Sequence, residues 1–434
     1  EIVLGMPGWL TLGLAGLVTM IYSILGGLKA VIITDFIQFI LAMIGSIWAT
    51  IYIINLPEIN GISGFINNPN LNDKLALFPD LTNPDLLVPL LLVPLAVQWW
   101  ATYYPGSEPG GGGFIAQRMF SAKDENNALG ATLVFNITHY ALRPWPWILI
   151  ALSSLVIFPE LSDIQKAFPG LPADKLGHDV AYPAMLTLLP AGLLGLVCAS
   201  LIAAYMSTMS TLLNLGSSYL INDFFLRFIN PKASESKSIF VGKLIIVILL
   251  ILGGSFGLIL TSAGEAFNIM LMMGAGTGLL YILRWFWWRI TAFSEIIALF
   301  SSVIIAAFFN FVNLNLFDWQ KIVFGALLTT IIWIIATYLG PPESERVLKE
   351  FVKKVNPGGP GWAKYNNRNA SEPWPVPSGI LSTIFGSLMV YGLLLGTGHI
   401  IYGQYQTAAL LIGIAIISSF ALFKVWRNYS AKTI

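Results

Sequence analysis

The chain has 434 residues, of which 56% are hydrophobic and only 10% charged, with a formal net charge of +1. A soluble domain carries about a quarter charged residues, so a water-soluble globular fold is excluded and most of the surface must face lipid. The near-zero charge offers no footprint for nucleic acid. The single cysteine, Cys198, excludes an internal disulfide and a thiolate metal cluster.

Spanning a bilayer takes about 20 apolar residues. Eleven stretches qualify: 8–26, 29–54, 86–104, 127–157, 182–226, 237–261, 265–289, 293–313, 319–339, 377–397 and 405–425. EIVLGMPGW enters the first at once, without the basic start of a signal peptide. Placing the Lys29 loop in the cytoplasm and alternating from there puts 17 of the 23 Lys and Arg on the cytoplasmic side. Lys74, Lys166, Lys175 and Lys321 fall outside, and Arg143 and Lys243 fall within spans. This asymmetry supports the span count and a cytoplasmic C-terminus. Two outer loops, 55–85 and 158–181, are sizeable, and the second has room for a short helix.

Four stretches carry chemistry. In GGLKAVIITDFIQF, Asp35 lies within an apolar helix, flanked by Thr34 and Gln38. A charge inside a span costs about 2.5–3.5 kcal/mol on insertion scales, so such an acid faces the bundle interior. A structural pair with Lys or Arg and a cation or proton site both fit it. In QWWATYYPGSEPGGGGFIAQRMFSAKDE, Pro105, Pro109 and a run of glycines break the helix. Broken helices at membrane depth line cavities and mark solute sites in transporters. Trp99, Trp100, Tyr103 and Tyr104 before the break could stack on a solute, Gln98 beside them is a further substrate or gate candidate, and Glu108 within the break is a ligand, a gate or a solvated acid. Next, in NITHYALRPWPW, His139 and Arg143 stand four apart. An intramembrane Arg asks for an anion: Glu108, a solute carboxylate or a structural partner.

The fourth stretch is AAYMSTMSTLLNLGSSYLIND. At 100° per residue Ser207, Thr211, Asn214 and Ser218 form one stripe about 16 Å long, with Ser210 and Thr208 beside it. Hydroxyls of this kind either let helices pack closely and bond back to their own carbonyls or line a path for a hard cation. Past the ninth span, Val347, Phe351, Val352 and Val355 in SERVLKEFVKKVNPGGPGW recur at helical spacing. They predict a short amphipathic helix ended by PGGPG. No Ser-His-Asp arrangement, dinucleotide fingerprint or zinc spacing supports an enzyme.

GGLKAVIITDFIQ, GFIAQRMFSAKDE and AAYMSTMSTLLNLGSSYLINDFF, in this order and spacing, resemble motifs of the sodium:solute symporter family. The resemblance implies an all-α multi-pass membrane protein with the LeuT-type, inverted-repeat transporter fold. It implies a common sodium site at Ala204, Ser207 and Thr208, and a second at Asp35, Ser207, Ser210 and Thr211. The segment around Trp99–Tyr104 corresponds to the substrate and inner-gate region; its PGSEPGGGG insert departs from the sugar-transporter pattern. Family members begin with about four more spans, so residues 1–340 read as a transporter core lacking its first spans. Residues 341–376 follow as a cytoplasmic loop, and 377–434 as two further spans and a tail.

The expected function is import of a small polar solute, such as a sugar, amino acid or organic acid, coupled to Na+. It needs no organic cofactor and no nucleic acid, and its setting is the lipid bilayer of the cell (inner) membrane. A proton-coupled amino-acid or polyamine transporter with Asp35 as carrier is one alternative. A solute-sensing membrane domain is another. Taken alone, the chain is expected to carry half of each site and not to transport.

Overall fold

The computed structural model describes residues 2–3, 5–98, 113–172, 175–259, 263–312, 314–366 and 374–433. Among them the regular structure is entirely helical. The main helices are α1 (Gly8–Ile54), α2 (Glu125–Asn136), α3 (Pro144–Ile157), α4 (Ala191–Tyr219), α5 (Glu235–Ile259) and α6 (Ala263–Leu283). After them come α7 (Ala292–Phe311), α8 (Asp318–Leu339), α9 (Glu345–Val355), α10 (Pro375–Ile401) and α11 (Tyr405–Thr433). Eight described segments are long and apolar enough to cross a membrane. Gly8–Ile21, Pro84–Gln98 and Phe267–Leu283 are shorter apolar helices, so each of the eleven predicted stretches holds a helix among its described residues.

One expectation changes. The loop placed at Lys29 is helix, because α1 runs unbroken from Gly8 to Ile54. No proline interrupts SILGGLKAVI, and Gly26 and Gly27 each cost only about 1 kcal/mol against Ala. Four segments widen to π-helix: Val88–Leu92, Pro94–Gln98, Ile137–Leu142 and Leu220–Ile229. Pro144 and Pro146 explain the third. Neither has an N–H to give the carbonyls one turn earlier, so the regular ladder ends there.

The chain divides into two compact units. The first comprises residues 1–76, 133–262 and 390–414. In it α1 and α4 run antiparallel: Gly45 abuts Leu196 and Val197, while Asp35, ten residues earlier, meets Ser207. The Thr50 hydroxyl donates to the Pro146 carbonyl at 3.0 Å and ties α1 to α3. Trp145 Nε1 donates to the Leu394 carbonyl at 3.0 Å, which anchors the end of α10. Ile59, Phe65 and Leu71 bury themselves in the segment after α1, and Asn70 caps the Leu155 carbonyl. The short helix expected in 158–181 is Leu161–Ala167, started by a reciprocal cap between Glu160 and Asp163.

The second unit comprises residues 77–132, 263–389 and 415–434. Its core is α6, α7 and α8. Leu271, Met272 and Ala275 meet Ala306, Phe309, Ile322 and Ala326, and a second cluster joins Leu280, Ile290, Ala298 and Trp333. Gly276 permits a close approach of α6 and α8, since a Cβ there would lie 2.3 Å from Thr329. The start of α7 is set by Thr291 and Ser294, which cap each other; Thr337 of α8 donates to the same Ser294 oxygen at 2.8 Å. The amphipathic helix is α9, capped by Ser344 and closed by Asn356 in the left-handed region at φ 47°.

Candidate cation and solute site

The antiparallel α1–α4 pair puts the buried acid against the hydroxyl stripe. Ser207 Oγ donates to Asp35 Oδ1 at 2.5 Å, joining residues 172 apart in sequence. Both side chains are half-buried. A hydroxyl that donates to a carboxylate still offers its own lone pairs, so the contact presents several oxygens to one point. One turn along α1 from Asp35, the Gln38 amide oxygen is buried and has no hydrogen-bond partner. The α1–α4 register places Gln38 level with Ala204.

Other stripe residues behave variously. Ser210 is fully buried and donates to the Ser207 carbonyl at 3.1 Å, the back-bonding expected of a packing serine. Asn214 donates to the Ser210 carbonyl at 2.8 Å. Thr211 is half-buried one turn beyond Ser207. Of the first predicted sodium set, Ala204 and Ser207 are half-buried, while Thr208 is exposed 100° round the helix from Ser207. Toward the helix end Asn222 donates to Ser218 Oγ at 3.1 Å. There the chain enters π-helical Leu220–Ile229, and Asp223 is exposed. The donors gathered at the seam are all oxygen: a carboxylate, hydroxyls and an unused amide carbonyl. That set suits a small hard cation such as sodium and suits no soft metal.

The predicted solute residues divide. Trp99, Trp100, Tyr103, Tyr104 and Glu108 lie outside the described residues. Gln98 is half-buried at the end of a π-helical segment. His139 lies in the π-helix Ile137–Leu142, and Arg143 follows it directly. Arg143 Nη1 and His139 Nδ1 are 3.0 Å apart. A guanidinium only donates, so Nδ1 accepts and His139 carries its ring proton on Nε2. The guanidinium also lies 4.7 Å from the Trp147 ring centre, and His139 stacks on Phe135 at 4.9 Å. Among the described residues no carboxylate pairs with Arg143. The clamp between Thr50 and Pro146 has no signal in the sequence, whereas Gln38 flanks Asp35 there.

Together the helices and this seam define a multi-pass membrane protein of the LeuT-type transporter fold. A solved structure described as the substrate-bound outward-open state of a Na+-coupled sialic acid symporter shares that fold. It covers 79% of this chain and 69% of its own at a TM-score of 0.54 and 22% identity. The model of the sodium:solute symporter family matches residues 1–294, and the chain belongs to that family. Curated relatives include the sodium/glucose cotransporter of Vibrio parahaemolyticus, 28% identical over 350 residues, 76% of this chain and 62% of the relative. The sodium/mannose cotransporter of Bos taurus is 27% identical, with 57% and 43% covered. The sodium/myo-inositol cotransporter 2 of Rattus norvegicus is 27% identical, with 56% and 38% covered. The chain thus spans about 40 to 60% of the length of these relatives, all of them cotransporters and none an enzyme.

Proposed function

We propose that the protein carrying this chain is a sodium-coupled symporter that imports a small polar solute by alternating access. The observation that carries this reading is the Ser207 hydroxyl on the Asp35 carboxylate across the α1–α4 seam. Sodium binds at Ala204, Ser207 and Thr208. A second sodium enters the oxygen-lined seam at Asp35, Ser207, Ser210 and Thr211. Occupancy favours the outward-open state, and inward opening releases sodium along the stripe toward Asn222 and Asp223. One charge crossing 100 mV supplies about 2.3 kcal/mol, enough for roughly a 50-fold solute gradient per sodium.

The names of the relatives make glucose-, mannose- and inositol-like solutes the first class to screen. Arg143, held by His139 and Trp147 and by no acid among the described residues, makes carboxylated solutes the second. The Lys and Arg asymmetry supports a cytoplasmic C-terminus in the cell membrane.

The test is uptake by the complete protein in proteoliposomes with sodium against potassium outside. Replacing both Ser207 and Thr208 with Ala is expected to abolish the sodium-dependent part. Sodium affinity unchanged in that double variant rejects the assignment. Full uptake without sodium at low pH would move the coupling to protons.

A further inference from the structure

One end of the second unit carries a built feature that the transport cycle does not use. The turn after α6, RWFWWR at 284–289, meets the segment that follows α8. Trp362 Nε1 donates to the Trp285 carbonyl at 3.0 Å, and Trp288 N donates to the Gly361 carbonyl at 3.3 Å. Phe351 of α9 stacks on Trp362 at 5.1 Å, and Phe286 meets Trp374 edge-on at 6.4 Å. Gly361 is obligatory: a Cβ there would fall 2.0 Å from the Phe286 carbonyl oxygen. The result is a rigid aromatic clasp across the ends of α6, α7 and α8.

Among the described residues, the charges on this clasp are not all paired. Arg284 pairs with Glu295, Arg346 with Glu350 and Lys349 with Glu345. Lys353 and Lys354, exposed in the last turn of α9, have no acidic partner among the described residues. Lys364 is exposed too, its ammonium 4.8 Å from the Trp288 ring centre and 5.0 Å from that of Tyr365. Arg289 donates to the Tyr338 and Gly340 carbonyls at the end of α8, and its second terminal nitrogen is buried without a partner. Beside these cations the last residues of α8, Tyr338 and Leu339, are 64% and 83% exposed, as lipid-facing residues at a span's end would be.

We propose that this clasp binds the anionic phospholipid headgroups of the leaflet it faces. Its position at the ends of spans sets it at headgroup depth. The tryptophans and tyrosines are the side chains that settle there, and the exposed lysines supply the complementary charge. The aromatic faces hold the Lys364 ammonium in place by cation–π attraction, so the phosphate meets an oriented cation. This property is independent of sodium and solute.

The test reads lipids retained by the complete protein in native mass spectrometry, after nanodiscs containing equal phosphatidylglycerol and phosphatidylcholine, without sodium or solute. A basic residue near an anionic surface contributes about fivefold. The triple variant Lys353→Gln, Lys354→Gln and Lys364→Gln is therefore expected to lose roughly 100-fold of the parent's preference for phosphatidylglycerol. The corresponding triple change to Arg is expected to keep it, and so reports that the clasp still folds. Equal retention of the two lipids by the parent, or an unchanged ratio in the Gln variant, would overturn the proposal. Displacement of the lipid by millimolar inorganic phosphate would assign the site to a soluble anion and overturn it as well.

Discussion

The α1–α4 seam and the clasp beyond α8 solve opposite problems with different materials. At the seam the polar groups are short and near their own backbone: Ser210 on the Ser207 carbonyl, Asn214 on the Ser210 carbonyl, Ser207 on Asp35. Such groups lose little rotamer entropy on ordering and can turn toward an ion without repacking. At the clasp the groups are large. Indoles lock onto carbonyls, and a glycine admits no side chain. Rigid aromatic packing suits a fixed platform, whereas short oxygens backed by a helix suit a ligand that comes and goes.

The sharpest way to break this contrast is at Asp35. Asp35→Asn keeps an oxygen that can accept from Ser207 but removes the charge. Charge-assisted contacts are worth about 1.5–3 kcal/mol, so sodium affinity is expected to fall roughly 100-fold, read by sodium titration of solute uptake, with the fold retained. An unchanged sodium titration would leave the seam as packing. On the other side of the comparison, Gly361→Ala must drive a methyl into the Phe286 carbonyl. Overpacking of this kind costs about 1–3 kcal/mol. Limited proteolysis is expected to cut the 340–366 segment faster, with sodium titration unaltered. If the segment stays equally protected, the clasp is looser than its geometry.

Much of this was legible in the sequence, and the failures have identifiable causes. Apolar runs of spanning length are set by composition, so every one of the eleven holds a helix among its described residues. The 100° projection brought Ser207 to the front of the stripe, where Asp35 meets it. The spacing of Val347, Phe351, Val352 and Val355 located α9, yet its buried residue is Leu348, and Val347 and Val355 are 48% and 42% exposed. Periodicity marks a helix better than it chooses the buried face when apolar residues lie on both sides. The turn expected at Lys29 failed because a glycine pair and one charge weaken a helix without stopping it. Partners supplied by another helix, such as Pro146 for Thr50, left no local trace. The π-helical Leu220–Ile229 holds no proline to announce it.

Gln38 offers a finer test of the seam. Its buried oxygen has no partner, and an unsatisfied amide costs free energy in the folded state. If that oxygen serves sodium, Gln38→Leu should leave thermal stability in sodium-free buffer equal or higher while weakening sodium affinity about tenfold. Loss of stability without sodium, with affinity intact, would make Gln38 a packing residue.

Ser217 sets the lower limit of the comparison, because it lies on the same helix as the stripe and does ordinary structural service. Its hydroxyl donates to the Gly242 carbonyl of α5 at 3.0 Å, and its side chain is buried. The packing there is close: a Cβ on Gly242 would lie 2.6 Å from the Ile221 side-chain Cδ1. Ser217→Ala removes one buried hydrogen bond and leaves a carbonyl that keeps its own helix partner. The expected loss is about 1 kcal/mol of stability, seen as a small fall in the unfolding midpoint, with sodium titration unchanged. A sodium effect as large as that of the Ser207 and Thr208 double variant would mean that the ion path runs the length of α4, and that hydroxyls facing α5 belong to it as fully as those facing α1.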